Sequence, residues 1–483
     1  MSVVENVEAR AALGVHPYQP MRRVNHAELR QVDTDPQRFD WTANIFERCY
    51  LELAQRGIFS EVPFSWYPTL TSHELPRVAE ANPDLKDAVT VTTEIMRGNL
   101  AENGVGAPYI HALLPDLTQI DKRVVIAAGR KQFVRDSGGV SPQHFWGAEG
   151  AYDYKTLSAL AAEGYRGFVC APEQIALLSG GSPDNKPALI RLPNRRKIIA
   201  LPFDNQLARE IGLGDKSNAD RFADDIVRPA LWHRGHRGAD AKPTVISWTD
   251  AEAFNGHEGT ARDAHLFVDY LLHEALPNRH IEPISINEIP LDGDLPEARL
   301  HERTAWSCSH GDLARWHGGC NCGNNGEADK SWKQPFSAGH HELNKQITTV
   351  LRRETGLTDR ELIERLSDGF GGYLRNPGGA QSNPLDSLYS AKVSGIAGET
   401  SCGTFFDDPG PSGRINILFA LQAILHLRDA GFLGDADKIE GTYMRAMSEV
   451  VDPYHPEITG VAIVEELFAQ KYSGVQEHIV YAA

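Results

Sequence analysis

"YKTLSALAAEGYRGFVCAP", residues 154–172, sets a helix-like run directly before a strand-like one. Leu157, Leu160 and Ala161 recur at helical spacing, and Gly164 supplies the stop. "GFVCAP" then reads as a short buried strand closed by Pro172. The segments "KIIALPFD" (197–204), "TVISWTD" (244–250) and "IEPISINEI" (281–289) share that strand character, and helical stretches lie between several of them. Strands alternating with helices imply an α/β fold with a mainly parallel sheet, either open or closed into a barrel.

After about residue 295 the rhythm changes. "HHELNKQITTVLRRETG" (340–356) puts Leu343, Ile347, Val350 and Leu351 on one helical face and stops at Gly356. "TDRELIERL" (358–366) has Thr358 and Glu361 at capping-box spacing, and "INILFALQAILHLRDAGF" (415–432) is apolar enough to lie inside a bundle. The expected organisation is an α/β domain over residues 1–295 and a helical domain over 296–483. The second begins with a Cys-, His- and Trp-rich loop near 304–335.

The composition narrows the function. The chain of 483 residues is 41% hydrophobic and 23% charged, which suits a globular protein with a substantial core. Its 48 Lys and Arg against 65 Asp and Glu leave a net charge of −17, which would repel nucleic acid and anionic membranes but tolerates a neutral sugar. No apolar run reaches the ~20 residues of a membrane span, and the N-terminal stretch lacks the pattern of a secretory signal. Six cysteines are too few for a disulfide scaffold, so a reducing cytoplasm is the expected compartment. Oligomeric state is not legible.

Two carboxylates stand where chemistry is expected. Asp250 ends a strand-like run, and Glu149 follows the aromatic "HFW". In α/β barrels catalytic groups project from the carboxyl ends of strands. A carboxylate pair is what glycosidic cleavage needs, one to attack or stabilise the anomeric carbon and one to protonate the leaving oxygen. The plain alternative is two surface acids in loops. Cys308, His310, Cys320 and Cys322 offer three thiolates and an imidazole, a set that suits tetrahedral zinc, although reduced packing cysteines or one disulfide fit the spacing too. Trp306, Trp316 and Trp332 lie in the same segment and are candidates for stacking on sugar rings, with plain core packing as the alternative.

Six stretches, in order, resemble glycoside hydrolase family 57, in a divergent branch of the α-amylase and 4-α-glucanotransferase type. They are "GVHPYQP" (14–20), "PYIHALLPDL" (108–117), "HFWGAEGAYD" (144–153), "WTDAEAFNGHEG" (248–259), "TAWSCSHGDLARWHGGCNCG" (304–323) and "ETSCGTFFDDPGP" (399–411). The resemblance implies an incomplete (β/α)7 TIM-like barrel followed by a C-terminal helical domain. It also implies a retaining enzyme that cleaves or transfers an α-linked glycosyl unit of a carbohydrate or glycoconjugate. Glu149 falls on the nucleophile and Asp250 on the acid/base; His16, Gln19, His111, Trp146, Trp248, His257, Trp306, Asp407 and Asp408 form the expected sugar-binding set. The sequence departs from the pattern at Gly14, where many members have histidine, at Ala251, and at Asn255. Glycosidic chemistry requires no cofactor, and a zinc at the Cys/His cluster would be structural. Two other readings stay open: a metal-dependent enzyme that uses the Cys/His cluster on a small metabolite, and a non-catalytic sugar-binding protein.

Overall fold

The structure, a computed structural model, describes residues 8–22, 29, 40–237, 242–256, 262–320, 322, 328–378 and 383–469. It divides into two compact units, one of residues 1–19, 40–109 and 129–306, the other of 20–39, 110–128 and 307–483.

The first unit is built on one sheet. Its strands are β1 (Ala9–His16), β2 (Phe64–Trp66), β3 (Gly104–Gly106), β4 (His144–Phe145), β5 (Gly167–Cys170) and β6 (Ile175–Leu177). They continue with β7 (Ala188–Arg191), β8 (Lys197–Pro202), β9 (His236–Arg237), β10 (Pro243–Asp250), β11 (Ile281–Pro283) and β12 (Glu297–Leu300). The order is β6-β12-β7-β8-β5-β4-β3-β2-β1-β10-β9, with β11 pairing β1. From β8 through β5, β4, β3, β2 and β1 to β10 every neighbouring pair is parallel. This is the incomplete (β/α)7 barrel expected from the sequence.

The two ends of the parallel run, β8 and β10, share no ladder among the described residues. β9 pairs with the start of β10, and beyond it one side chain and one loop amide take the strand's backbone groups. Ile246 N–H donates to Asn185 Oδ1 at 2.7 Å, and Asp204 N–H donates to Ile246 O at 2.7 Å. Buried Asp204 also accepts from Arg234 Nε and caps the helix Asn205–Leu213 through Leu207 N–H at 2.9 Å. An unclosed edge inside a folded unit would otherwise leave backbone donors and acceptors unpaired.

The 154–172 stretch forms the expected elements. A helix spans Tyr154–Ala162, with the Asp153 side chain accepting Thr156 N–H at 2.6 Å. Gly164 turns with φ 89, a conformation a side chain would resist, and β5 follows with every residue buried. Residues 281–289 differ from expectation. Only Ile281–Pro283 pair as a strand, because Ser285 and Glu288 close a reciprocal capping box over the turn Ile286–Glu288. That local pairing satisfies the backbone before a longer ladder can form. β12 lies beyond residue 295 and pairs with β6 and β7.

The second unit holds helices at Lys333–Thr355, Asp359–Leu374, Pro384–Ala397, Pro411–Asp429, Leu433–Met447 and Gly460–Ala469. Thr358 and Glu361 make the predicted capping box, and Gly356 ends the preceding helix at φ 64. The helix 384–397 is buried over the whole of Ser387–Ala397, so it is an interior helix. Its Lys392 is fully buried and pairs with Asp121 at 2.6 Å; Asn344 bonds both partners, at 2.7 and 2.9 Å. A buried charge pair needs such extra partners to offset desolvation. No helix among the described residues is long and apolar enough to cross a membrane.

Candidate active site

Asp250 is the last residue of β10, whose preceding seven residues are all buried, so the chain reaches partial exposure at the carboxylate. His16 ends the neighbouring β1 and is its register partner. His16 Nδ1 lies 2.9 Å from Ser65 Oγ on β2. Burial pulls the His16 pKa down to about 4, against an opposing pull from the Asp250 charge, so the ring is neutral at neutral pH.

Glu149 sits in a turn just past β4. It has φ 59 and ψ 14, a left-handed conformation uncommon outside glycine, and Gly150 follows at φ 56. Several contacts lock the turn. Trp306 N–H donates to Glu149 O at 3.0 Å, and Gln174 Nε2 donates to Gly150 O at 2.7 Å. A Cβ on Gly150 would come within 2.8 Å of the Trp306 Cβ and 3.1 Å of the Trp146 ring, so position 150 has no room for a side chain. The Glu149 residue is 9% exposed. Backbone strain that surroundings over-determine in this way is a recurrent feature of functional positions.

One aromatic cluster ties the two carboxylate segments together. Trp146, three residues before Glu149, packs on Trp248, two before Asp250, with ring centroids 5.4 Å apart. Trp146 also meets His16 at 5.9 Å and Trp306 at 5.7 Å, and His16 meets Tyr67 at 5.0 Å. Trp146 and Trp248 are wholly buried, while Trp306 is half-buried. This packing accounts for Gly14. A Cβ there would lie 2.2 Å from the Trp248 ring, so β1 has glycine where it faces that tryptophan across the pair.

Gln19 and Glu252 occupy a second buried layer. Glu252 accepts from Tyr50 OH, from Gln19 Nε2 at 3.2 Å and from Tyr18 N–H at 3.3 Å. The loop after β1 is thereby tied to the turn after β10. Burial first, and the Glu252 charge second, push the Tyr50 pKa well up and keep that hydroxyl a donor. Asn255 at φ 78 exchanges side-chain bonds with Arg48, accepting at 3.1 Å and donating at 3.2 Å, which gives a reason for asparagine at that departure. His257 lies outside the described residues. Sequence reasoning missed Ser65, Tyr50 and Gln174, and none of the three stands in a motif that would single it out.

In the second unit, His111 Nδ1 lies 2.8 Å from Ser401 Oγ, and Ser401 N–H donates to His111 O at 2.8 Å. Two of the six resembling stretches, 108–117 and 399–411, therefore meet. Asp407 is buried, pairs with Lys330 at 3.2 Å, and accepts at its backbone oxygen from Trp332 Nε1 at 2.8 Å. Asp408 accepts from Gly410 N–H at 3.2 Å, and burial raises its pKa. Trp316 and Trp332 are buried core residues.

The donor atoms of Cys308, His310, Cys320 and Cys322 all lie within 4.8 Å of one another, an arrangement that could hold a metal ion. Burial raises the Cys308 thiol. Cys322 moves the other way despite its burial, through hydrogen bonds with Ser309, Cys320 and His310.

Residues 96–290 match the family model described as "Glycosyl hydrolase family 57". An exo-type maltose-forming amylase from Pyrococcus sp. ST04 superposes with a TM-score of 0.68 at 14% identity, covering 96% of this chain and 88% of that one. A family 57 branching enzyme from Thermococcus kodakaraensis gives 0.57 at 14% identity over 94% and 97% of the two chains. One from Pyrococcus horikoshii gives 0.58 at 12% over 93% and 97%. At these identities the likeness shows the fold. No curated protein matches the chain in sequence.

Proposed function

We propose, from the glycosyl hydrolase family 57 domain that residues 96–290 form, that this glycoside hydrolase or glycosyl-transferring enzyme acts by retention on an α-linked carbohydrate or glycoconjugate. Glu149 is the nucleophile and Asp250 the acid/base. One observation carries the reading: both carboxylates stand at carboxyl ends of parallel strands in one sheet, and the Trp146–Trp248 contact joins their segments. That is where an α/β barrel places its chemistry.

The steps follow from the pair. Ionised Glu149 attacks the anomeric carbon while protonated Asp250 gives its proton to the leaving oxygen, and the glycosidic bond breaks. Asp250 then takes a proton from water or a sugar hydroxyl, whose oxygen attacks the same carbon and frees Glu149. Water gives hydrolysis and a sugar gives transfer. His16 contributes as a neutral ring, a hydrogen-bonding group rather than a charge. The remaining sugar-binding set of Gln19, His111, Trp146, Trp248, His257, Trp306, Asp407 and Asp408 belongs to the same proposal.

A screen of α-glucans, α-galactosides and small glycoconjugates with wild type and Glu149→Gln tests it. The variant should keep the fold and sugar binding and lose turnover by at least ~10³-fold. Unchanged turnover ends the assignment. The rival, a metal-dependent enzyme built on the Cys/His cluster, has less support. Three sulfurs and a nitrogen fill a tetrahedron, whereas a catalytic zinc keeps one position for water. Chelation of accessible metal should leave initial glycosidic turnover intact. A reducing cytoplasm as the compartment belongs to the same proposal.

A further inference from the structure

We infer that Cys308, His310, Cys320 and Cys322 bind one structural zinc ion, and that this site holds the 402–410 segment in position. The first ground is distance. The Cys308 and Cys320 sulfurs lie 3.9 Å apart, and His310 Nδ1 lies 3.6 Å from the Cys308 sulfur and 3.3 Å from that of Cys322. A tetrahedral zinc with Zn–S of about 2.3 Å and Zn–N of about 2.0 Å has S···S edges of about 3.8 Å and S···N edges of about 3.5 Å. These three spacings fall close to those edges, and all four donor atoms lie within 4.8 Å of one another. A disulfide needs sulfurs about 2.05 Å apart, so the thiols are not bonded to one another.

The second ground is the surrounding chain. Between β12 and the helix that starts at Lys333 no helix or strand occurs among the described residues, yet Cys308, Leu313, Trp316 and Cys320 are buried. A connection this long without regular structure is uncommon in a compact unit. A four-ligand ion supplies the missing constraint, because its binding energy goes into folding.

The third ground is what lies between the ligands. Arg315 stands between His310 and Cys320 in the chain. Its guanidinium sits 3.6 Å above the Phe405 ring, donates to Phe405 O at 3.2 Å and to Ser307 O at 3.1 Å. Lys330 donates to the carbonyl of Cys320 at 3.2 Å and pairs with Asp407 at 3.2 Å. A ligand's backbone and the Asp407 carboxylate thus share one ammonium. Metal at the four donors fixes Arg315 and Cys320 O, and through them Phe405 and Asp407. The zinc site does not depend on the glycosidic reading; only the meaning of Asp407 for a sugar rests on it.

The test uses the full chain made in zinc-replete medium. Elemental analysis should find about one zinc per chain, and cobalt(II) exchanged for it should show tetrahedral d–d bands with thiolate charge transfer. Cys320→Ser should lower cobalt affinity by at least ~10-fold. Hydrogen exchange of peptides covering 402–410 should speed by at least ~10-fold when a strong chelator strips the wild-type protein, while β1 and β10 peptides keep their rates. The wild-type cobalt spectrum needs no variant to fold. Protein without zinc and without a thiolate–cobalt band overturns the site, and bound zinc whose removal leaves 402–410 exchange unchanged overturns the coupling. A loss of glycosidic activity in Glu149→Gln bears on neither outcome.

Discussion

Glu149 and Asp250 lie far apart in the chain, whereas Cys308, His310, Cys320 and Cys322 lie close together, and the two groups are ordered by opposite means. The carboxylates are placed by backbone. Parallel strands fix both approaches, a tryptophan pair joins them, and a left-handed turn presents Glu149. The thiols and imidazole stand in a stretch with no helix or strand among its described residues. A sheet spreads the entropy cost of ordering over many ladders, while a metal concentrates it in four bonds. The first region should therefore resist chelation and be sensitive to point changes at its carboxylates. The second should behave the other way round.

The largest effect expected is at Asp250. Asp250→Asn should slow cleavage of an unactivated glycoside by about 10²–10⁴-fold, the usual contribution of a general acid. A substrate with a leaving group that needs no proton should lose far less, and added azide should return a glycosyl azide of retained configuration. Equal losses on both substrates would detach Asp250 from proton transfer. Zinc removal comes next. Calorimetry should show the helical unit destabilised by several kcal/mol, with the barrel transition unmoved. A shift in both transitions would erase the contrast between the regions.

Acid tests each region through its buried histidines. Burial lowers the pKa of His16 to about 4, of His144 to about 3 and of His340 to about 4, from 6.5. The unfolded chain binds these protons below about 6.5 and the native chain only near 3 to 4, so their contribution to stability is whole above 6.5 and is lost as pH falls through that window. With up to about three extra protons on the unfolded state, the slope reaches about 4 kcal/mol per pH unit. His340→Asn should remove about one proton's worth from the helical unit alone. Urea midpoints that stay flat from pH 6.5 to 5 would contradict this. The smallest effect on stability is expected from Glu149→Gly, which relaxes the left-handed backbone. It should raise stability by about 1 kcal/mol while abolishing turnover, read by melting and assay side by side. A marked loss of stability would mean that Glu149 is held for packing.

Much of the fold was legible because it is local. The helix and strand of 154–172, the Thr358–Glu361 box and the Gly356 stop each depend on residues a few positions apart. The apolar run that ends at Asp250 was legible in the residues themselves, and the resemblance brought the barrel and the roles expected of the two carboxylates. What escaped is non-local. Asn185 and Asp204 covering β10, Tyr50 and Gln19 meeting at Glu252, and Ser65 meeting His16 join positions with no shared periodicity. The turn at Glu149 escaped for another reason, since a glutamate before glycine signals nothing about φ. Gly14 looked like a lost histidine until the Trp248 ring was seen to occupy the space beside it.

The most direct measurement is to trap the intermediate. Once a substrate is found, its 5-fluoro glycosyl fluoride should form the covalent adduct quickly and release it slowly, and digestion followed by mass spectrometry should place the sugar on Glu149. A sugar ester on another residue, or turnover of the true substrate with inversion at the anomeric carbon, would contradict the assignment of Glu149 and Asp250 as a retaining pair.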